Sequence, residues 1–259
     1  MQRSPLPNEP TYWGETSVSV KNEDVDVVLE LRKGSHIEGR VTVGELGQPT
    51  IPLPFTGAVI MAVPSDGRSL GSRLIPMPPV GPNGEFRTAG FPPGSFDLAL
   101  IENIRRPSAG YFVESVIVAG VRRPGPRIEL ADHDLRSVEI VLNNETADLA
   151  GFVRDQQGRP VSSATVYLFP QDRLLWTEFG PSVQRIRATQ PDSSGSYTIT
   201  TIPPGEYFLI AVQGGAREDW RSMTRLAQWA GQATKTTASG GRRQSVNLTV
   251  LSGGTPRPK

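Results

Sequence analysis

Cysteine is absent from this 259-residue chain, and histidine occurs only twice. Without a thiol there is no disulfide staple, no thiolate nucleophile and no Cys-based zinc or iron–sulfur site. His36 and His133 stand alone, with no second His or carboxylate at metal-ligand spacing, and both read as surface histidines. The pair Asp132 and Asp134 flanks a turn, and two carboxylates fall short of the six to eight oxygens that calcium takes. The sequence contains no Gly-x-Ser-x-Gly, no Gly-x-x-x-x-Gly-Lys-Ser/Thr and no Gly-x-Gly-x-x-Gly. A hydrolase elbow, a P-loop and a dinucleotide fingerprint therefore all lack support. No apolar run approaches the roughly 18–20 residues of a membrane helix.

Charge of one sign is lacking too. Lys and Arg total 27 and Asp and Glu total 26, so no net field draws in nucleic acid or an anionic membrane. The pairs Arg105-Arg106, Arg122-Arg123 and Arg242-Arg243 lie at loop positions without interleaved aromatics and read as solubilising. The opening residues, Met1 to Pro10, have no apolar core of a signal peptide. Either the protein stays inside the cell or this is a piece of a longer exported chain; the first residues read as the middle of something, so we expect the second.

What is plentiful is glycine (27) and proline (24), at 37% hydrophobic content. Without a collagen-like period, that richness fits short strands joined by tight turns. One block of residues occurs twice with its spacing intact. Asn83 to Leu100 contains Asn83-Gly84, Phe86 and Pro92-Pro93-Gly94-Ser95-Phe96. Ser194 to Ala211 answers with Ser194-Gly195, Tyr197 and Pro203-Pro204-Gly205-Glu206-Tyr207.

The repetition extends outward. Ile37-Glu38-Gly39-Arg40-Val41 matches Leu149-Ala150-Gly151-Phe152-Val153 as an alternating strand. Ala58 to Pro64 matches Ala164 to Pro170 as a second. Each copy closes on a short strand, Val138-Glu139-Ile140-Val141-Leu142 or Val246-Asn247-Leu248-Thr249-Val250, and a third relative, Val25-Asp26-Val27-Val28-Leu29, stands near the start. The parse is therefore residues 1–33 as the C-terminal end of a preceding repeat, 34–146 and 147–251 as two whole repeats, and 252–259 as a disordered tail.

About seven strands per repeat, separated by turn signals, predict a β-sandwich. At each Pro-Pro-Gly, Pro93 or Pro204 presets φ, and Gly94 or Gly205 supplies φ > 0 for a type II turn. Tyr207 then resembles the tyrosine corner of Greek-key sandwiches, whereas Phe96 lacks the hydroxyl. One short helix is expected near 217–231, with Trp220, Met223, Ala227 and Ala230 as its apolar stripe and Gly231 as C-cap. The corresponding stretch of the first repeat, Ala109 to Gly120, reads as strand.

Gly151, Val153, Asp155, Gly158, Pro160, Val161, Ala164 and Val166, followed by Gly195, Tyr197, Pro203, Pro204, Gly205 and Tyr207, resemble the motif of the carboxypeptidase regulatory-like domain. The first repeat departs from it, with an insertion after Gly47-Gln48-Pro49. The resemblance implies an all-β fold of tandem seven-stranded Greek-key sandwiches, prealbumin-like or Ig-like. It also implies large exported bacterial proteins, a likeness to carbohydrate-binding modules, and no family-wide catalytic residue or cofactor.

The functional expectation is a non-enzymatic segment of an exported or cell-surface bacterial protein, located extracellularly, in the periplasm or on the cell surface. It would act as structural spacer and interaction module, with neighbouring domains of a longer chain as partners and no membrane insertion. The alternatives are a carbohydrate-binding module, with polysaccharide or another surface protein as partner, and an accessory domain of a peptidase or outer-membrane transporter. Four loop aromatics, Tyr12, Trp13, Trp176 and Phe179, are the candidate ligand-binding rings, since exposed rings stack on sugars or anchor partners. Against that stands the reading that Trp176 and Phe179 fold back over the end of a core.

Overall fold

A computed structural model describes residues 10–20, 22, 24–44, 57–66, 78–101, 110–176, 185–214 and 220–251. The chain divides into two compact units, Met1–Ala109 with Val113–Asn143, and Gly110–Phe112 with Asn144–Lys259. The described residues are all-β, with one α-helix.

Unit 1 holds β1 (Tyr12–Trp13), β2 (Arg32–Lys33), β3 (Ile37–Val43), β4 (Val59–Pro64), β5 (Glu85–Arg87), β6 (Gly94–Ile101), β7 (Phe112–Val118), β8 (Val121–Pro124), β9 (Arg127–Leu130) and β10 (Leu135–Asn143). β1 pairs with β2. One sheet runs β5-β3-β10-β7-β8 and another β4-β6-β9. The alternation read from sequence is the alternation that buries side chains. Ile37 and Val41 on β3, Ile60 and Ala62 on β4, and Phe96 and Leu98 on β6 are all closed to solvent.

Unit 2 holds β11 (Ala147–Arg154), β12 (Ala164–Pro170), β13 (Arg187–Thr189), β14 (Ser196–Ile202), β15 (Gly205–Gln213), α1 (Met223–Ala230), β16 (Thr234–Ala238), β17 (Arg243–Ser245) and β18 (Leu248–Thr249). Its sheets are β14-β11-β17, with β18 also on β11, and β13-β12-β15-β16. Leu149 and Val153 from one sheet and Val166, Leu168, Tyr207 and Leu209 from the other share a single core. A second apolar cluster covers the opposite face of β12 and β15. There Tyr167, Phe169, Phe208 and Ile210 meet Trp176, Leu226 and Trp229. Every residue of β12 is consequently buried.

The two units share a common pairing scheme, to which unit 1 adds β7 and β8 beyond β10. β3 lies antiparallel to β5 and parallel to β10, as β11 lies antiparallel to β14 and parallel to β17 and β18. β6 lies between β4 and β9, as β15 lies between β12 and β16. The parallel contact is close enough to demand glycine. A Cβ on Gly39 would stand 1.8 Å from the Val138 carbonyl oxygen, and one on Gly151 would stand 1.9 Å from that of Val246. The repeated Gly-x-Val is thus the point where the closing strand presses onto the first strand.

The structure corrects two local expectations. Gly94 and Gly205 have φ of 159° and 154°, not the roughly +80° of a type II turn. They are the first residues of β6 and β15, already paired with Leu130 and Ala238, so the corner leads straight into the ladder. The helix begins at Met223, with the Ser222 hydroxyl accepting from the Arg225 N–H, and ends at the Gly231 cap. Within the expected span, residues 217–219 lie outside the described residues and 220–222 are not helical. The buried helix face is Leu226 and Trp229, whereas Met223 is 51% exposed. Of the expected stripe, Trp220, which precedes the helix, and Ala230 pack against the same cluster, whereas Met223 and Ala227 are exposed. The tail 252–259 lies outside the described residues.

Candidate functional site

The four candidate rings are placed differently. β1 positions Tyr12 and Trp13 on successive residues, which point to opposite sides. Tyr12 is 57% exposed. Trp13 is half-buried. Its indole N–H donates to the Gly90 carbonyl and its ring stacks on Phe91 at 6.1 Å between centroids.

Trp176 is fully buried. A 3-10 turn, Arg173–Leu175, capped by the Asp172 carboxylate accepting from the Leu174 N–H, turns the chain back on itself. The indole N–H then donates to the Pro170 carbonyl at 2.7 Å, and the ring meets Phe169 edge-on at 5.8 Å. The Arg173 guanidinium covers it from outside at 5.4 Å. Trp176 is therefore a core ring and is not offered to a ligand. Phe179 lies outside the described residues.

The sequence reading did not bring together a further aromatic group, the one over Tyr167. Trp229 and Trp220 pack on Tyr167 at 4.5 and 5.1 Å, with Arg221 4.8 Å over Trp220 and Arg225 6.0 Å over Trp229. The signal was present in the Trp220-Arg221 and Arg225…Trp229 spacings, but only the fold shows that the shared floor is the outer face of β12. Stacked guanidinium and ring pairs of this kind stabilise by up to about 1 kcal/mol at exposed sites.

At the Pro-Pro-Gly corner of unit 2, the buried Tyr207 phenol donates to the Pro203 carbonyl at 2.7 Å. Arg185 Nη1 donates to the Tyr207 oxygen at 3.0 Å and to the Pro204 carbonyl at 3.2 Å. Tyr197, ten residues earlier, donates to the Val246 carbonyl at 2.6 Å, and burial pushes its phenol well above its ordinary range. This carbonyl is the one that Gly151 admits.

The remaining polar groups close turns. Asp192 Oδ1 accepts from the Ser194 N–H and hydroxyl and the Ser196 N–H, and these bonds, the Ser194 hydroxyl foremost, hold its carboxyl below the ordinary range. In unit 1 the corresponding residue is Gly81, whose own N–H and carbonyl make the same turn with Glu85 and Gly84. Asp155 accepts from the N–H groups of Gln157 and Arg159 and pairs with the Arg159 guanidinium at 2.7 Å.

His36 is not at the surface as expected. It is buried, its ring Nδ1 lies 2.9 Å from the Thr88 carbonyl, and its N–H donates to Asp134 Oδ1. The cause is the bridge between Ser35 and Phe91, which holds the entry to β3 against the link between β5 and β6. His133 is exposed beside Asp132. Asp134 is thus committed to the backbone of His36 and to Arg136. Among the described residues no three His, Asp or Glu side chains gather as a metal site, and no helix is long and apolar enough to cross a membrane.

No curated protein matches the sequence. Among solved structures, the chain is similar to a streptococcal ancillary pilin at 14% identity and TM-score 0.35, covering 98% of this chain and 74% of the pilin. It is similar to the minor pilin GBS52 of Streptococcus agalactiae at 12% identity and TM-score 0.34, covering 87% and 98%. The shaft pilin SpaA of Lactobacillus rhamnosus GG is similar at 11% identity and TM-score 0.29, covering 86% and 100%. Residues 148–250, which hold the Gly151–Val246 contact and the Tyr207 corner, match the family model of the carboxypeptidase regulatory-like domain.

Proposed function

We propose that the chain is a non-catalytic, modular segment of an exported or cell-surface bacterial protein, acting as structural spacer and interaction module. In this reading residues 34–146 and 147–251 are tandem Greek-key sandwiches of the prealbumin type, and 1–33 end a preceding repeat. The observation that carries it is the common pairing scheme of the two units, in which the repeated residues serve core and turn positions. The Asp155 and Asp192 carboxylates, the kind of group a catalyst would aim at a substrate, are instead bonded to their own turns. The match of residues 148–250 to the carboxypeptidase regulatory-like domain supports the same reading, since that resemblance implies no family-wide catalytic residue. Partners are the neighbouring domains of a longer chain.

A glycan array probed with the full chain, and with Tyr12→Ala as control, tests it. No specific binding is expected. Binding that is lost in Tyr12→Ala would replace the spacer reading by the carbohydrate-binding one.

A further inference from the structure

Residues 16–20 and 24–31 hold most of the large apolar side chains that are exposed among the described residues. Val25, Val27 and Leu29 are 49%, 48% and 51% exposed, and Val28 is 91% exposed. Elsewhere the same pattern does core work. In Val138-x-Ile140-x-Leu142 the exposures are 1%, 0% and 0%, and in Val246-x-Leu248-x-Val250 Leu248 is buried while Val246 and Val250 pack against the core of unit 2. Both of those strands are buried for one reason. Each lies parallel to the first strand of its unit, β10 on β3 and β17 with β18 on β11.

The order along the chain is also common. β10 closes unit 1 and is followed directly by β11, the first strand of the next unit. Residues 25–31 are followed, after the two residues of β2 and a short link, by β3, the first strand of unit 1. The preceding piece agrees. Val18 and Val20, with Ser19 between, stand before this strand as Ile128 and Leu130 of β9 stand before β10, and they too are exposed whereas Ile128 and Leu130 are buried. Neither β3 nor β11 has a free side for the segment, because each is already flanked by an antiparallel and a parallel neighbour.

From these observations we infer that residues 16–31 supply the last two strands of a further sandwich unit of this kind, lying N-terminal to them in the same polypeptide. Val25–Leu29 is its closing strand, parallel to its first strand. The inference rests on the modular reading and deepens it by naming the partner and its register. The chemistry of the acceptor follows from the two filled cases. Its first strand carries a glycine where the Val25 carbonyl arrives, as Gly39 receives Val138 and Gly151 receives Val246. A branched apolar residue follows two positions on, as Val41 and Val153 do. Strand addition of this type takes affinity from the backbone ladder and specificity from alternate side-chain pockets, and it relieves an exposed apolar stretch that otherwise invites aggregation.

Hydrogen exchange tests this on two chains, the present one and the same chain lengthened upstream by the residues that precede it naturally. In the present chain the amides of 24–31 should exchange freely. In the longer chain they should slow at least about a hundredfold, as amides entering a core ladder do. Val27→Asp should leave the unfolding midpoints of units 1 and 2 unchanged in both chains and lower one additional transition in the longer one. The wild-type comparison stands even if the variant does not fold. Fast exchange in the longer chain, or upstream residues without a Gly-x-Val strand, overturns the inference. So does a concentration-dependent dimer of the present chain that Val27→Asp abolishes, which would assign the segment to a second copy. Glycan binding does not enter these readouts, so the spacer reading and this one fail separately.

Discussion

The Tyr207 phenol reaches back four residues to donate to the Pro203 carbonyl at 2.7 Å. Phe96, its counterpart in unit 1, has no hydroxyl and instead packs on Phe91 at 5.3 Å. One frame therefore closes its corner in two ways, by a buried hydrogen bond in unit 2 and by ring packing in unit 1. Tyr207→Phe separates the two contributions. It keeps the ring but leaves the Pro203 carbonyl without this donor, which costs about 1–2 kcal/mol. Urea unfolding followed separately for the two units should show that loss in unit 2 alone.

The Gly151 contact predicts a larger effect. A Cβ there would lie 1.9 Å from the Val246 carbonyl oxygen and 3.2 Å from the Tyr197 ring, and neither the ladder nor a buried ring can move aside cheaply. Gly151→Ala should push the closing strand off β11 and break the Tyr197–Val246 bond with it. We expect a loss of about 3 kcal/mol or more, in the range reserved for core strain. Faster exchange of the Val246 amide, which donates to Ala150, is the local signature.

The helix separates burial from pattern. Leu226 is completely buried against the outer face of β12 and β15, whereas Met223 projects into water. Leu226→Ala should cost about 2–5 kcal/mol, and Met223→Ala should stay within about 0.5 kcal/mol. Thermal unfolding of the two variants decides it. Equal effects would restore the stripe that the sequence pattern suggested.

Much of the frame was legible because turn and core chemistry is local. Gly84, Gly195 and the alternating apolar residues mark strand ends and inward faces without reference to the rest of the chain. The meaning of Gly39 and Gly151 was not legible, since each answers to a carbonyl about a hundred residues away. The same holds for His36, buried through a bridge between Ser35 and Phe91. Trp176 carried both readings in sequence. The Asp172 cap and the Pro170 acceptor decide for burial, and neither is visible as a pattern. The helix stripe was half legible: Trp220 and Ala230 pack on the cluster, whereas Leu226 and Trp229, not Met223 and Ala227, are the buried helix face.

Asp97 gives unit 1 a pH dependence of definite sign. It is buried on β6, and Arg127, directly opposite on β9, donates Nε to Oδ1 at 3.1 Å and Nη2 to Oδ2 at 3.3 Å. Burial pushes the carboxyl above its ordinary range, and the guanidinium opposes that shift without cancelling it. The folded form thus holds its proton to higher pH than the unfolded form, whose value is about 3.9. Its contribution to stability is fully present below that value and declines as pH rises through the folded pKa. Carboxyl carbon NMR should place the Asp97 midpoint above the ordinary aspartate value. Arg127→Met removes the opposing charge, so the midpoint should rise further. Unit 1 should lose about 1–3 kcal/mol at pH 7, less than for a fully buried pair because a third of the Arg127 side chain is in water. Near pH 3.5, where the carboxyl is protonated, the loss should shrink. An equal loss at both pH values would mean that Arg127 acts through packing of its stem rather than through its charge.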